Sequence, residues 1–239
     1  MKKTAIAFVC SALFIAGSVY AAWQVSRARN FQFFGDLVPR VGMEEKMVAL
    51  TFDDAPASRT REVLDILRDK GVRGTFFMIG SLLEKDPGAG KDIYEAGHEL
   101  GNHSYSHTRM VLKRYAFIRS EVERTDELIR RTGYSGEIHF RPPFGKKFLG
   151  LPWYLASTER TTVMWDVEPE SFADVAGDAV LIEEHVLANA RPGSIVLLHG
   201  MCDSESCAET RKALPRIIDR LREEGYGFVT VSELMERVK

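Results

Sequence analysis

From residue 47 onward, short apolar runs alternate with amphipathic stretches along the chain. Residues 47–51, 75–79, 138–140, 162–165, 194–198 and 227–231 read as buried strands, and 99–102 fills a further strand position. Apolar residues at helical spacing predict helices over 61–70, 91–96, 117–132, 151–158, 178–190 and 208–224, four of them followed by Gly71, Gly97, Gly133 or Gly225. Ser232 is the expected cap of a terminal helix. Strands that alternate with helices imply parallel pairing through crossovers, and apolar strands imply burial on both faces. About seven such units, without a Gly-rich dinucleotide or phosphate loop, predict a barrel or partial barrel rather than an open nucleotide-binding sheet. One domain is expected over 47–239.

The first residues have a different character. Lys2 and Lys3 precede an apolar run over 5–19 that ends in Val19-Tyr20-Ala21-Ala22. This is the pattern of a secretory signal peptide. The apolar stretch over 4–25 is also long enough to span a bilayer. Residues 1–25 are therefore read as a signal peptide or an N-terminal membrane anchor. The rest of the chain is expected to be exported: periplasmic, extracellular, or anchored to the outer face of the cytoplasmic membrane. Residues 26–46 form an approach segment, with Phe31, Phe33 and Phe34 packing outside the domain. Of the 239 residues, 45% are hydrophobic and 28% charged, which suits an ordered globular protein. The net charge of −2, with both signs scattered, disfavours a nucleic-acid partner. No protein partner is implied. Cys10 lies in the leader. Cys202 and Cys207 form a nearby pair that outside the cytoplasm suggests a disulfide, with metal binding the alternative.

Polar residues gather where the predicted strands end. Asp53 and Asp54, His103, Arg141, Asp166 and His199 each follow a strand, and in a parallel barrel those ends converge on one face. Adjacent residues of an extended strand point to opposite sides. One of the two aspartates can ligate a metal while the other acts as base only if the chain turns there, which Pro56 favours. His103 and His107 are four apart, so on a helical turn they would share a face and a metal. Two imidazoles and one carboxylate suit zinc and also admit cobalt, nickel, manganese or iron. His199 is a candidate general acid. Arg141 can pair with a carboxylate and lower its pKa. His98, His139 and His185 read as surface or packing residues.

Four segments, TFDDAP at 51–56, HSYSH at 103–107, RPPFG at 141–145 and LLHG at 197–200, together resemble the polysaccharide deacetylase family. That family is also called carbohydrate esterase family four, or the nodulation-protein-B homology domain. The resemblance runs from roughly residue 48 to 231. It implies a distorted, incomplete (β/α) barrel that removes N-acetyl groups from an N-acetylglucosamine-containing polysaccharide or oligosaccharide, releasing acetate. It further implies that Asp53 is the base and His199 the acid. Asp54, His103 and His107 would hold one divalent metal, and Arg141 would orient Asp53. The backbone N–H of Phe144 would hold the oxyanion. Phe144, Trp165 and Leu197 are the substrate-binding candidates. A deformylase or other amide hydrolase on the same scaffold, and a non-catalytic glycan-binding protein, are the alternatives. Ala55 and Phe144 stand where the family has glycine and often tyrosine. Residues 165–172 depart from its Asp-x-x-Asp-Trp pattern, which leaves Asp166, Glu168 and Glu170 as candidates to tune His199.

Overall fold

The computed structural model describes residues 2–238, with side chains from residue 10 onward. Its strands are β1 (Leu37–Val38), β2 (Met47–Ala55), β3 (Thr75–Met78), β4 (Glu99–Asn102), β5 (Thr162–Val163), β6 (Ile195–Leu198) and β7 (Gly227–Phe228). Its helices are α1 (Lys2–Arg27), α2 (Thr60–Lys70), α3 (Gly80–Lys85), α4 (Pro87–Glu95), α5 (Tyr115–Arg131), α6 (Gly150–Ser157), α7 (Ala179–Asn189), α8 (Glu205–Glu223) and α9 (Val231–Glu236). The long apolar strand β2 lies at the centre, because both its faces are buried. It pairs with β3 on one side and β6 on the other, β4 continues beyond β3, and β7 pairs with the start of β2. Every one of these ladders is parallel, as crossover helices require. Single bridges from Asn102 to Phe140, from Phe140 to Thr162 and from Val167 to Val196 carry the wall round from β4 to β6. The result is a distorted, incomplete (β/α) barrel.

Residues 138–140 form one bridging residue rather than the expected strand. Pro142 and Pro143 follow at once, and neither has an N–H to extend a ladder. The expected strand at 162–165 stops at Val163, because the chain then crosses over: Met164 N–H donates to Val38, and Asp166 N–H to Ile195. The approach segment supplies β1, which pairs with β5, and it packs against the sheet where Val41 N–H donates to the Gly193 carbonyl at 2.9 Å. Phe31, Phe33 and Phe34 remain exposed, and Phe33 meets Phe148 edge-on. Thr230, not Ser232, caps α9: its hydroxyl accepts from Glu233 N–H while Glu233 reaches back to the Thr230 N–H. Ser232 instead donates to Glu99 at 2.7 Å. Among the described residues no helix is long and apolar enough to cross a membrane. The basic start of the expected leader, Lys2 and Lys3, lies outside the described side chains.

The core fills the space between the sheet and the helices, with Phe52 and Phe76 stacked at 4.9 Å at its middle. Gly193 shows how closely the approach segment is held. Its φ is +82°, and a Cβ placed there would sit 1.8 Å from the Val41 carbonyl oxygen. Gly193→Ala is expected to destabilise the protein by roughly 2 kcal/mol through left-handed strain and overpacking. An unchanged urea midpoint would show that this contact gives way freely.

Candidate active site

The two aspartates share one face because the strand bulges. Phe52 pairs with Phe76 and Ala55 with Met78, so Asp53 and Asp54 together oppose the single residue Phe77. Asp54 has a φ of +64°, and the turn expected from Pro56 is built into the strand end, where the Ala55–Pro56 peptide is cis. Asp53 is buried, and its Oδ1 accepts from Arg141 Nη1 at 2.7 Å. Arg141 is fully buried and also donates to Thr51 Oγ1 at 2.8 Å and to the Met164 carbonyl at 2.9 Å. Its guanidinium carbon lies over Phe77, 4.0 Å from the ring centroid. Burial pushes the Asp53 carboxyl up, but Arg141, His103 and His199 together hold it below its ordinary value.

His103 follows β4, and its Nδ1 lies 2.7 Å from the Arg141 carbonyl. A carbonyl only accepts, so Nδ1 carries the proton and Nε2 presents a lone pair. That Nε2 is 3.7 Å from Asp54 Oδ1, and His107 Nε2 is 3.4 Å from the same oxygen. Ligand atoms from Asp54, His103 and His107 all lie within 4.8 Å of one another. Asp54 Oδ1 is buried and has no hydrogen-bond partner among the described residues. An orphaned carboxylate oxygen facing two imidazole nitrogens is a donor set that fits a divalent cation. The expected helical turn is absent from the HSYSH segment, since Ser104 and His107 both have positive φ. A loop brings the imidazoles together instead. Asn102 accepts from the Ser104 N–H, Ser104 from the His107 N–H, and Glu121 from the Ser106 N–H.

His199 follows β6 and lines the same cleft of about 370 Å³ as the aspartates, with Phe144, Trp165 and Leu197 also on its walls. Of the three acids that could tune it, Glu170 is the one in place. Its Oε1 accepts from the His199 N–H and from Thr210 Oγ1, each at 2.9 Å, and its Oε2 is 3.8 Å from His199 Nδ1. Asp166 instead holds the start of β6 through Ser194 and Ile195. Glu168 accepts from Trp165 Nε1 and from Arg29. Burial pushes His199 down, but Glu170 first, then Asp53 and Asp54, raise it to about 9. Residues 166, 168 and 170 alternate, so no sequence period separates them. The 3-10 turn Pro169–Ser171 aims Glu170 at His199. A disulfide ties Cys202, in the loop after His199, to Cys207 in the first turn of α8, and Arg211 donates to the Gly200 and Cys202 carbonyls in that loop.

Phe144 lies in the short turn Pro143–Gly145 with a φ of +58°, and its ring is 4.6 Å from that of His107. The other histidines pack elsewhere. His98 is buried, accepts from the Gly74 N–H at 3.1 Å and is pushed down to about 4, chiefly by that burial. His139 meets Ser232 Oγ at 3.0 Å, and His185 lies against Phe172. The ligand geometry predicts that Asp54→Ala weakens Zn²⁺ binding by roughly 100-fold or more, measured by competition titration with a chromophoric chelator. Full affinity in that variant would exclude Asp54 as a ligand.

A family model described as polysaccharide deacetylase matches residues 40–160. A peptidoglycan-N-acetylglucosamine deacetylase of Bacillus cereus is 34% identical over 201 residues, covering 80% of this chain and 89% of that one. A chitooligosaccharide deacetylase of Sinorhizobium fredii is 32% identical over 199 residues, covering 79% and 92%. The crystal structure of a peptidoglycan N-acetylglucosamine deacetylase, solved in complex with a naphthyl N-hydroxybenzamide, superposes with a TM-score of 0.77 at 31% identity, covering 82% of this chain and 91% of that one. By sequence and by fold, the chain belongs to the polysaccharide deacetylase family.

Proposed function

We propose that the protein hydrolyses the N-acetyl groups of an N-acetylglucosamine-containing glycan, releasing acetate and leaving a free amino sugar. The observation that carries this reading is a pair of titratable groups in one cleft with oppositely directed pKa values. Asp53 is held ionised by Arg141, and His199 is held protonated by Glu170. Environments that push two such groups apart assign base and acid.

Asp54, His103 and His107 would hold a divalent ion, for which zinc suits the mixed nitrogen and oxygen set. Bound there, such an ion supplies Lewis acidity toward an amide oxygen and a water. Asp53 takes the proton of the attacking water, and Arg141 keeps its carboxylate ionised and oriented. The Phe144 N–H donates to the oxygen that becomes negative. His199 gives its proton to the departing nitrogen, and Glu170 stabilises the imidazolium until it does. Trp165 and Leu197 give the sugar an apolar wall. The disulfide and the substrates named for the relatives support a place outside the cytoplasmic membrane. Residues 1–25 would then be a signal peptide or anchor, and 47–239 the catalytic domain.

Two outcomes test the assignment on the zinc-reconstituted protein, with acetate release from N-acetylglucosamine oligomers as readout. Asp53→Asn should lower kcat by about 10²–10⁴-fold, and a wild-type rate would exclude Asp53 as base. An acid must be protonated to act, so the wild-type rate should fall as pH rises through about 9. Glu170→Gln removes the main group that raises His199, and its alkaline limb should move down toward the ordinary imidazole value of about 6.5. A limb that stays in place would separate Glu170 from the acid.

A further inference from the structure

Cations collect beside the cleft in a chain whose net charge is −2. Arg27, Arg29 and Lys146 line it, and the Arg109 guanidinium lies 5.0 Å from the centroid of the Phe144 ring. Arg29 is matched, since it pairs with Glu168 at 2.7 Å and lies over the Trp165 ring. Asp53 is matched by Arg141. Among the described residues, no ion pair engages Arg27, Arg109 or Lys146. The backbone that carries Arg27 is held in place by the structure around it. Lys147 N–H donates to the Ser26 carbonyl, and the buried Lys147 side chain donates to the Ala28 carbonyl, which fixes the backbone on both sides of Arg27. Arg27 itself lies over Trp23. The charges feel one another: partial burial, then Arg27, Arg109 and Arg29, push the Lys146 ammonium down. Like charges held together without counter-charge oppose folding. Their placement on the wall of a substrate cleft gives them a partner from outside.

We propose that Arg27, Arg109 and Lys146 form a subsite for an anionic group, carboxylate or phosphate, on a sugar next to the one that is deacetylated. The substrate is then an acidic N-acetylated glycan rather than a neutral chitin-like chain. This inference rests on the deacetylase reading and deepens it.

The test uses the zinc-reconstituted full chain and N-acetylglucosamine oligomers of one length in three forms: neutral, with C6 carboxylates, and with C6 phosphates. Acetate release and calorimetric binding are both measured at low and high salt. The acidic oligomers should be favoured mainly through KM, and salt should reduce the preference. The carboxylate and phosphate arms identify which anion fits. The double variant Arg27→Gln/Lys146→Gln should shrink the ratio of acidic to neutral kcat/KM by about tenfold, and Arg27→Lys should keep most of it. Equal binding and equal kcat/KM for neutral and acidic oligomers overturn the proposal and leave the deacetylase reading intact. So does a preference that survives the double variant, or variant-sensitive binding to anionic lipid vesicles with no discrimination among oligomers. If no oligomer releases acetate, the deacetylase reading fails, and the calorimetric preference still decides the subsite.

Discussion

The buried pair of Arg141 and Asp53 is the constraint on which the site depends. Neither ion keeps more than a trace of exposure, so each is viable only because the other is there. Removing one partner of such a pair costs about 3–5 kcal/mol, because an uncompensated charge stays buried. The protein surrounds the guanidinium with a carboxylate, a hydroxyl, two backbone carbonyls and an aromatic face. Arg141 also acts through its main chain. Its carbonyl accepts a hydrogen bond from the His103 Nδ1–H, which leaves Nε2 turned toward Asp54. One residue therefore orients the ionised aspartate with its side chain and sets a histidine tautomer with its backbone.

Much of this was legible in the sequence, because the signals are local. Apolar runs such as 47–51 and 194–198 announce strands, and polar residues just past them announce the face where they converge. The parts that were not legible depend on geometry that periodicity does not encode. The bulge that turns Asp53 and Asp54 to one side is a register shift against Phe77, visible only once β3 is paired. The HSYSH spacing suggested a helical turn, yet Asn102 and Glu121 hold it as a loop from outside the motif. Glu170 could not be told from Asp166 or Glu168 by spacing, since a 3-10 turn decides which acid faces His199. The cap of α9 lies two residues before Ser232 because Thr230 and Glu233 complete a reciprocal pair that Ser232 does not.

The His199 side of the cleft is built on the same principle as the Asp53 side, with one difference. Arg141 touches Asp53 directly, whereas Glu170 bonds firmly to the His199 backbone and stands 3.8 Å from its ring. The first arrangement locks a charge. The second keeps the imidazolium favoured with the carboxylate 3.8 Å from the ring. Thr210 on α8 supports that second arrangement by donating to Glu170.

The clasp of the approach segment onto the sheet also shapes how the chain reaches this structure. Arg40 finds its backbone partner at Pro192, 152 residues later, and β1 pairs only with β5. The first part of the domain to be synthesised thus has no place to dock until most of the remainder exists. Contacts of such long sequence separation slow folding and leave apolar segments waiting in the open. Leu37, Val38 and Val41 are such a segment. The barrel wall is therefore complete only when residues from both ends of the domain are in place together.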